Sequence, residues 1–397
     1  MNPKHVIIRA IGAVSAVRNT TTTYGENAQP PSFMELHLSK GVVHAPVYRI
    51  HQESEASLKS LNAERKWDRA ALLGVMSATD AFQRAGWSNA NSENLAVIMG
   101  SSRGSVNTYE EALQTFLQGN LLPTHISPVT TMGSFATSVA ETLGLYGEAL
   151  DCSMTCSSGL IAIRSAIAGI LSGFYERALC GGAESALTEF TAAQMQPLGI
   201  CTEFYKDGPP CQPLNTDARH NLMCLGEGAA VVALEGVDVL KAGNVCILGS
   251  GVGREAAPSY TGVTSTGEAI QLAITKALAD AKERYGILKN DISFILPHAP
   301  GTKKGDSSEM KALSEIFEDF IPPLFSTKWL TGHTFGAAGV LSLELALHLI
   351  SGGRIVPTPY RSLLAPKHSL NSLSPRVALI IGAGFGGSAT VLVVGVV

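Results

Sequence analysis

Charged side chains are scarce in this chain: 16% of its 397 residues, against 45% hydrophobic ones. So small a charged share leaves little sequence for solvated faces. With 40 glycines, it describes a well-buried α/β protein, long enough for one large core or two fused domains. A basic excess is missing as well. The net charge of −4 gives no electrostatic footprint for nucleic acid and argues against binding anionic membrane surfaces. Paired cysteine motifs are also absent. Cys152, Cys156, Cys180, Cys201, Cys211, Cys224 and Cys246 are odd in number and show no C-x-x-C spacing, which excludes a zinc ribbon or a thioredoxin-type site. A disulfide framework does not suit a chain this large and apolar, so the expected compartment is reducing, the cytoplasm.

Long uninterrupted apolar runs are few, and two need placing. The start, residues 1–16, has the outline of a weak export signal, but His5 and Arg9 break its apolar stretch. Val6-Ile7-Ile8 before Gly12 therefore reads as a first buried strand. The uncharged tail from Val377 to Val397 is long enough to span a bilayer. Its glycines, four of them within Gly382–Gly387, split it into two β-branched runs, the pattern of two core strands around a tight turn. Gly382-x-Gly384-x-x-Gly387 also satisfies the dinucleotide-binding pattern, but a strand rather than a helix is expected after it, and the chain runs only ten residues further. No nucleotide site and no membrane span are expected.

What is present is a loose internal repeat. Each half opens on an apolar strand (Val6–Ile8, Val245–Leu248) and continues with an amphipathic helix that stops at glycine (70–86, 269–286). A strand with a polar exit follows (Leu95–Met99, Ile292–Leu296), then an alanine-rich apolar helix (159–174, 337–350), then glycine-punctuated strands (226–234, 384–394). Such alternation implies βαβ units and mostly parallel sheets, and the all-round apolarity of the later helices implies a layer covered on both sides. Two halves, 1–240 and 241–397, packed face to face would make a five-layered α/β/α/β/α body. Residues 18–66 and 203–221 are polar and read as loops with short elements.

Thr155-Cys156-Ser157-Ser158-Gly159 lies between a strand expected at 149–153 and a helix beginning near Cys156. A helix N-terminus presents unpaired N–H groups that favour a thiolate, so the Cys156 pKa is expected to fall. Local sequence alone fits a buried, inert cysteine equally well.

The segment Asp151–Gly159 resembles the active-site segment of the β-ketoacyl-acyl-carrier-protein synthases, of the thiolase superfamily. Pro297-His298-Ala299-Pro300-Gly301-Thr302, continuing to Gly305-Asp306-Ser307-Ser308-Glu309, is similar to that family's first histidine motif. Ser326-Thr327-Lys328, continuing through Gly332-His333-Thr334-Phe335-Gly336, is similar to its lysine and second-histidine motif, and Gly226–Ala229 and Gly384–Gly387 also match. Alone, His333 could be a core residue, Glu309 a surface charge and Lys328 a cation stacked on Trp329. What the resemblance implies is a thiolase-like fold and an acyltransferase for decarboxylative Claisen condensation. It implies Cys156 as acyl carrier, His298 and His333 binding the malonyl thioester, and Lys328 with Glu309 positioning the histidines. It further implies the N–H groups of Cys156 and Phe385 as an oxyanion hole with Phe385 as a gate, and substrate binding at Thr302 and Gly386. No metal or resident cofactor is implied, since the substrate arrives on the phosphopantetheine arm of an acyl carrier protein. The expected assembly is a homodimer, or a heterodimer with a related subunit.

Several positions depart from the family pattern. Pro300 stands where a threonine commonly contacts the pantetheine arm, Ser388-Ala389 follows the glycine turn, and Glu148 follows Gly147. These departures point to a specialised pathway, of polyketide or aryl-polyene type. A CoA-dependent thiolase would want a second cysteine beyond Cys246. A synthase of the third type would carry asparagine in place of His333. A chain-length-factor-like subunit, which shapes a partner's pocket, would lack Cys156.

Overall fold

The computed structural model describes residues 4–18, 22–38, 41–88, 92–202, 208–256, 262–318, 320–365 and 377–397. The first half contributes strands β1 (His5–Val14), β2 (Leu95–Gly100), β3 (Ala149–Cys152), β4 (Arg177–Glu184) and β5 (Gly228–Val237). The second contributes β6 (Val245–Arg254), β7 (Phe294–Leu296), β8 (Val377–Gly384) and β9 (Ser388–Val396). Hydrogen bonding orders them β7-β8-β9-β6-β1-β5-β4-β2-β3. Between β1 and β6, however, a single antiparallel pair, Ile7 with Cys246, connects the two groups.

Taken separately, the halves match. The first runs β1-β5-β4-β2-β3 and the second β6-β9-β8-β7, with Leu324 bridging Ile295 in parallel where a fifth strand would lie. Sequence patterning predicts mostly parallel sheets, and the sheets are instead mixed. β2 runs parallel to β3 and β4, and β7 to β8, whereas β1–β5, β4–β5, β6–β9 and β8–β9 are antiparallel. The hairpin through the glycine turn makes β8–β9 antiparallel: three residues between strands leave no room for a crossover.

Five helices complete the layers. α1 (Arg69–Arg84) covers β1, β4 and β5, and α3 (Glu268–Tyr285) covers β6 and β9 beside α4 (Lys303–Phe317). Asp68 caps α1 by accepting from the Ala70 N–H at 2.8 Å. α2 (Ser158–Leu171) and α5 (Ala338–Ile350) touch each other and strands of both halves, α2 against β2, β4, β5 and β9, α5 against β1, β5 and β8. A helix apolar all round is stable only where both sides are covered, and this shared central layer covers them.

Residues 18–66 are more regular than their polarity suggests. Ser32–Leu38 and Gly41–Tyr48 form an antiparallel hairpin, and Gln52–Glu64 is a helix capped by the His51 ring, which accepts from the Glu53 N–H. The first apolar run is β1, inside the sheet, and the last is β8 and β9, so the G-x-G-x-x-G segment precedes a strand. Among the described residues no helix is long and apolar enough to cross a membrane. Residues 203–207 of the second polar segment lie outside the described residues.

Candidate active site

Between β3 and α2 the chain turns sharply. Thr155 takes φ +47°, a left-handed value that costs a β-branched residue steric strain. The Ser157 hydroxyl donates to the Met154 carbonyl (2.9 Å) and the Ser158 hydroxyl to that of Thr155 (2.6 Å), locking the turn. The β8–β9 turn closes over it. The Thr155 hydroxyl donates to the Phe385 carbonyl at 3.2 Å. Gly384 lies so close that a Cβ there would stand 1.9 Å from Thr155 Oγ1 and 2.9 Å from the Cys156 nitrogen.

Cys156 is buried, and its acidity runs opposite to the expectation from sequence. Burial pushes the thiol up to about 12, the Glu184 carboxylate adding to the rise and Lys328 and Arg103 opposing it. The reason is positional. Helix α2 begins at Ser158 with Ser157 as cap, leaving the thiol before the first turn in a desolvated site. All seven cysteines are free, and Cys152, Cys201 and Cys211 are likewise raised to about 12 by burial. Location, not acidity, sets Cys156 apart.

His298 and His333 come from two loops of the second half, after β7 and after the short helix Lys328–Thr331. Their rings meet edge to face with centroids 5.2 Å apart. His333 Nδ1 accepts the Phe335 N–H at 3.1 Å, which puts the ring proton on Nε2. Burial, helped by Lys328, lowers the His333 pKa to about 3, and burial with Lys328 and His333 holds His298 well below the ordinary range. Both rings are neutral. Glu309, at the buried face of α4, accepts the His298 N–H (2.7 Å) on one oxygen and the Ala299 N–H (2.6 Å) on the other. It therefore braces the histidine loop through the backbone. Burial pushes its carboxyl up to about 7, Asp306 adding and Lys328 opposing. Lys328 is buried too, and burial lowers its pKa against the pull of Glu309, Cys211, Cys156 and Asp306. Ala299 (φ +28°) and Phe335 (φ +42°) repeat the strained backbone of Thr155, so each candidate catalytic segment carries one such residue.

Sequence reading overlooked Glu184. It ends β4 fully buried and gathers four donors: the N–H groups of Ser102 (2.7 Å), Arg103 (3.0 Å) and Gly336 (3.1 Å) and the Ser101 hydroxyl (3.1 Å). Burial raises it to about 7. An acidic residue closing the apolar run Ala178–Ala183 was its one signal. Through Gly336 it ties the first half to the loop bearing His333. Arg103 lies over the Phe335 ring, 5.5 Å from its centroid, in the same junction.

A cleft of about 550 Å³ is lined by Cys156, His298, His333, Glu309, Thr302 and Phe385, with Met195, Leu198, Ile200 and Met223 on its apolar side. Lys328 stands behind it. Gly386 does not line it. That glycine sits exposed at the turn, where φ +85° and open space around its Cα shape the chain reversal.

A beta-ketoacyl synthase N-terminal domain matches residues 35–238, and the beta-ketoacyl synthase C-terminal domain matches residues 245–360. The chain belongs to the beta-ketoacyl synthase family. It is an acyltransferase of the ketosynthase class. Among relatives of this synthase, nodulation protein E of Rhizobium meliloti is 28% identical over 378 residues, 89% of this chain and 88% of the relative. A 3-oxoacyl-(acyl-carrier-protein) synthase 2 of Staphylococcus aureus is 26% identical over 424 residues, 98% of each chain. A solved ketosynthase in complex with its chain length factor, from Xenorhabdus doucetiae, superposes with a TM-score of 0.80 at 21% identity, covering 99% of this chain and 98% of its own. The fold of this synthase is thiolase-like, five layers built from two similar halves.

Proposed function

We propose that this synthase loads an acyl chain on Cys156 from a carrier-protein thioester and extends it with the enolate of a malonyl thioester. The observation that carries the reading is two neutral imidazoles, 5.2 Å apart, lining one cleft with a buried cysteine. In the first step the Cys156 sulfur attacks the incoming thioester, the carrier sulfur leaves, and the proton of the resting thiol passes to it. The N–H groups of Cys156 and Phe385 stabilise the tetrahedral oxyanion. In the second, loss of CO₂ from the malonyl thioester leaves an enolate whose oxygen takes the Nε2 proton donor of His333 and that of His298 as hydrogen-bond partners. A neutral N–H suits this role because it donates to developing charge without first giving up its proton. The enolate carbon then attacks the acyl carbonyl and expels the Cys156 sulfur. Glu309 and Lys328 act as positioning residues, Thr302 contacts the pantetheine arm, and Phe385 gates the two half-reactions. No resident cofactor is needed, since the reacting arm comes with the substrate.

The unit of this chemistry is the pair of halves, residues 1–240 supplying the sulfur and 241–397 the histidines. An acyl carrier protein is the proposed partner, in the cytoplasm, for a specialised fatty-acid, polyketide or polyene product. Leu150 on the edge strand β3 is an exposed apolar side chain. That surface supports a dimer, with a second copy or a related subunit. For the chemistry, His298→Ala and His333→Ala are expected to accept acyl label and to form no condensation product with malonyl thioester. Normal product formation by either variant would remove that histidine from the mechanism.

A further inference from the structure

Both oxygens of the buried Glu184 carboxylate are filled, two donors to each. Oε1 accepts the Ser101 hydroxyl (3.1 Å) and the Arg103 N–H (3.0 Å). Oε2 accepts the N–H groups of Ser102 (2.7 Å) and Gly336 (3.1 Å). Three of these donors come from the turn after β2, and the fourth from the loop of His333. An amide of the same shape could not take the set, because it accepts on its oxygen only and turns an NH₂ toward the other pair of donors.

What the fourth donor holds is the His333 ring. Gly336 follows Phe335, whose φ of +42° is strained for an aromatic residue and persists only where the surroundings impose it. The Phe335 N–H is the group that donates to His333 Nδ1. With the Gly336 N–H fixed on Glu184, the Phe335 backbone keeps that direction, Nδ1 stays an acceptor and the ring proton stays on Nε2. Glu184 grips the same loop a second way. It accepts the N–H of Arg103, whose guanidinium lies over the Phe335 ring, and that ring stacks on His333 with centroids 5.5 Å apart and planes at 29°. The joint is tight: a Cβ on Gly336 would stand 3.0 Å from Glu184 Oε2 and 2.9 Å from the Ser102 nitrogen.

We propose that Glu184 is a positioning residue for condensation, holding the Gly336 N–H so that His333 presents its Nε2 proton to the enolate. The inference rests on the ketosynthase reading above and adds to it a carboxylate that does not line the cleft. Its effect belongs to the second half-reaction. Loading uses the Cys156 sulfur and the N–H groups of Cys156 and Phe385, and none of the four donors on Glu184 belongs to these. Removing the Glu184 charge also relieves one of the causes that keep the Cys156 thiol neutral, so loading has no reason to slow.

The test uses Glu184→Gln and Gly336→Ala, which disturb the contact from opposite sides. The first removes an acceptor, and the second pushes the glycine off the carboxylate. In single-turnover assays each is expected to load acyl label from a carrier-protein thioester within about threefold of wild type, and to condense with malonyl thioester at least about tenfold more slowly. Long-range proton–nitrogen NMR of enzyme labelled with ¹⁵N-histidine reads the ring directly, with the His333 signals assigned by their loss in His333→Gln. The wild type is expected to carry the proton on Nε2, and both variants a population with it on Nδ1. Condensation at the wild-type rate in either folded variant would overturn the proposal. So would loading and condensation falling together with the ring proton unmoved, the result of a merely structural carboxylate. The variants alter different residues, so a folding failure of one leaves the other to decide. A wild type that neither loads nor condenses instead sinks the ketosynthase reading, while the ring-proton measurement, which needs no turnover, still decides whether Glu184 holds His333.

Discussion

At Cys156, burial and the nearby Glu184 carboxylate hold the thiol neutral, while Lys328 and Arg103 only partly offset them. Thiolate is therefore a minor form of the free enzyme at neutral pH, and it grows as pH approaches the raised pKa of about 12. Since the thiolate is the nucleophile, alkylation of Cys156 by iodoacetamide in the resting enzyme should rise about tenfold per pH unit across the range where the protein stays folded. A plateau reached near neutral pH, measured by peptide mass, would show an ionised resting sulfur and contradict this account. The sequence motif located the sulfur but misjudged its acidity, because desolvation depends on what packs around it. Glu184 makes the same point. It stands alone in the sequence, and its significance comes from three backbone N–H groups, one of them 152 residues away.

Among the elements, the β8–β9 turn does most to define the nucleophile's surroundings. An alanine at 384 would drive its Cβ into the Thr155 side-chain Oγ1 and crowd the Cys156 backbone nitrogen, which cannot give way cheaply. Gly384→Ala is expected to lower acyl loading of Cys156 at least about tenfold while the protein still melts cooperatively. Thr155→Ala in the same chain removes the 1.9 Å clash and should restore part of the rate. Full loading by Gly384→Ala alone would show that the turn is not seated as described. The elements that were legible in the sequence have strong local signals: alternating apolar periods, glycine stops, and the β-branched runs of β8 and β9. The hairpin 32–48 was not, since Glu35 and His37 on its outer face hide Met34, Leu36 and Val47 beneath. Strand β4 carries no strand signature in the sequence because its alanines and glycines, Ala178 to Ala183, lack β-branched character, and close packing against α2 is what they provide.

At the scale of the molecule, the two halves meet backbone to backbone. A Cβ on Gly182 of β4 would lie 2.6 Å from the Gly336 carbonyl, and one on Gly159 of α2 would lie 2.7 Å from it. Only glycine permits this approach, which brings a sulfur from one half into the same cleft as two histidines from the other. The repeat in the sequence announced two halves, and their five-layered stacking followed from the all-apolar central helices. The closeness of the joint did not follow, because it depends on glycines more than a hundred residues apart. The exposed edge of β3 leaves unpaired backbone groups and an apolar Leu150, a surface that needs covering. Sedimentation equilibrium should return a dimer, and Leu150→Lys should shift it toward monomer. Monomeric wild type at micromolar concentration would contradict the proposed assembly. Covalent loading of Cys156 is the step on which all the later chemistry depends. Incubation with an acyl-carrier-protein thioester, followed by intact mass and peptide mapping, should find one acyl group on Cys156 in the wild type and none in folded Cys156→Ala. An acyl group retained by that variant, or mapped to another cysteine in the wild type, would contradict it.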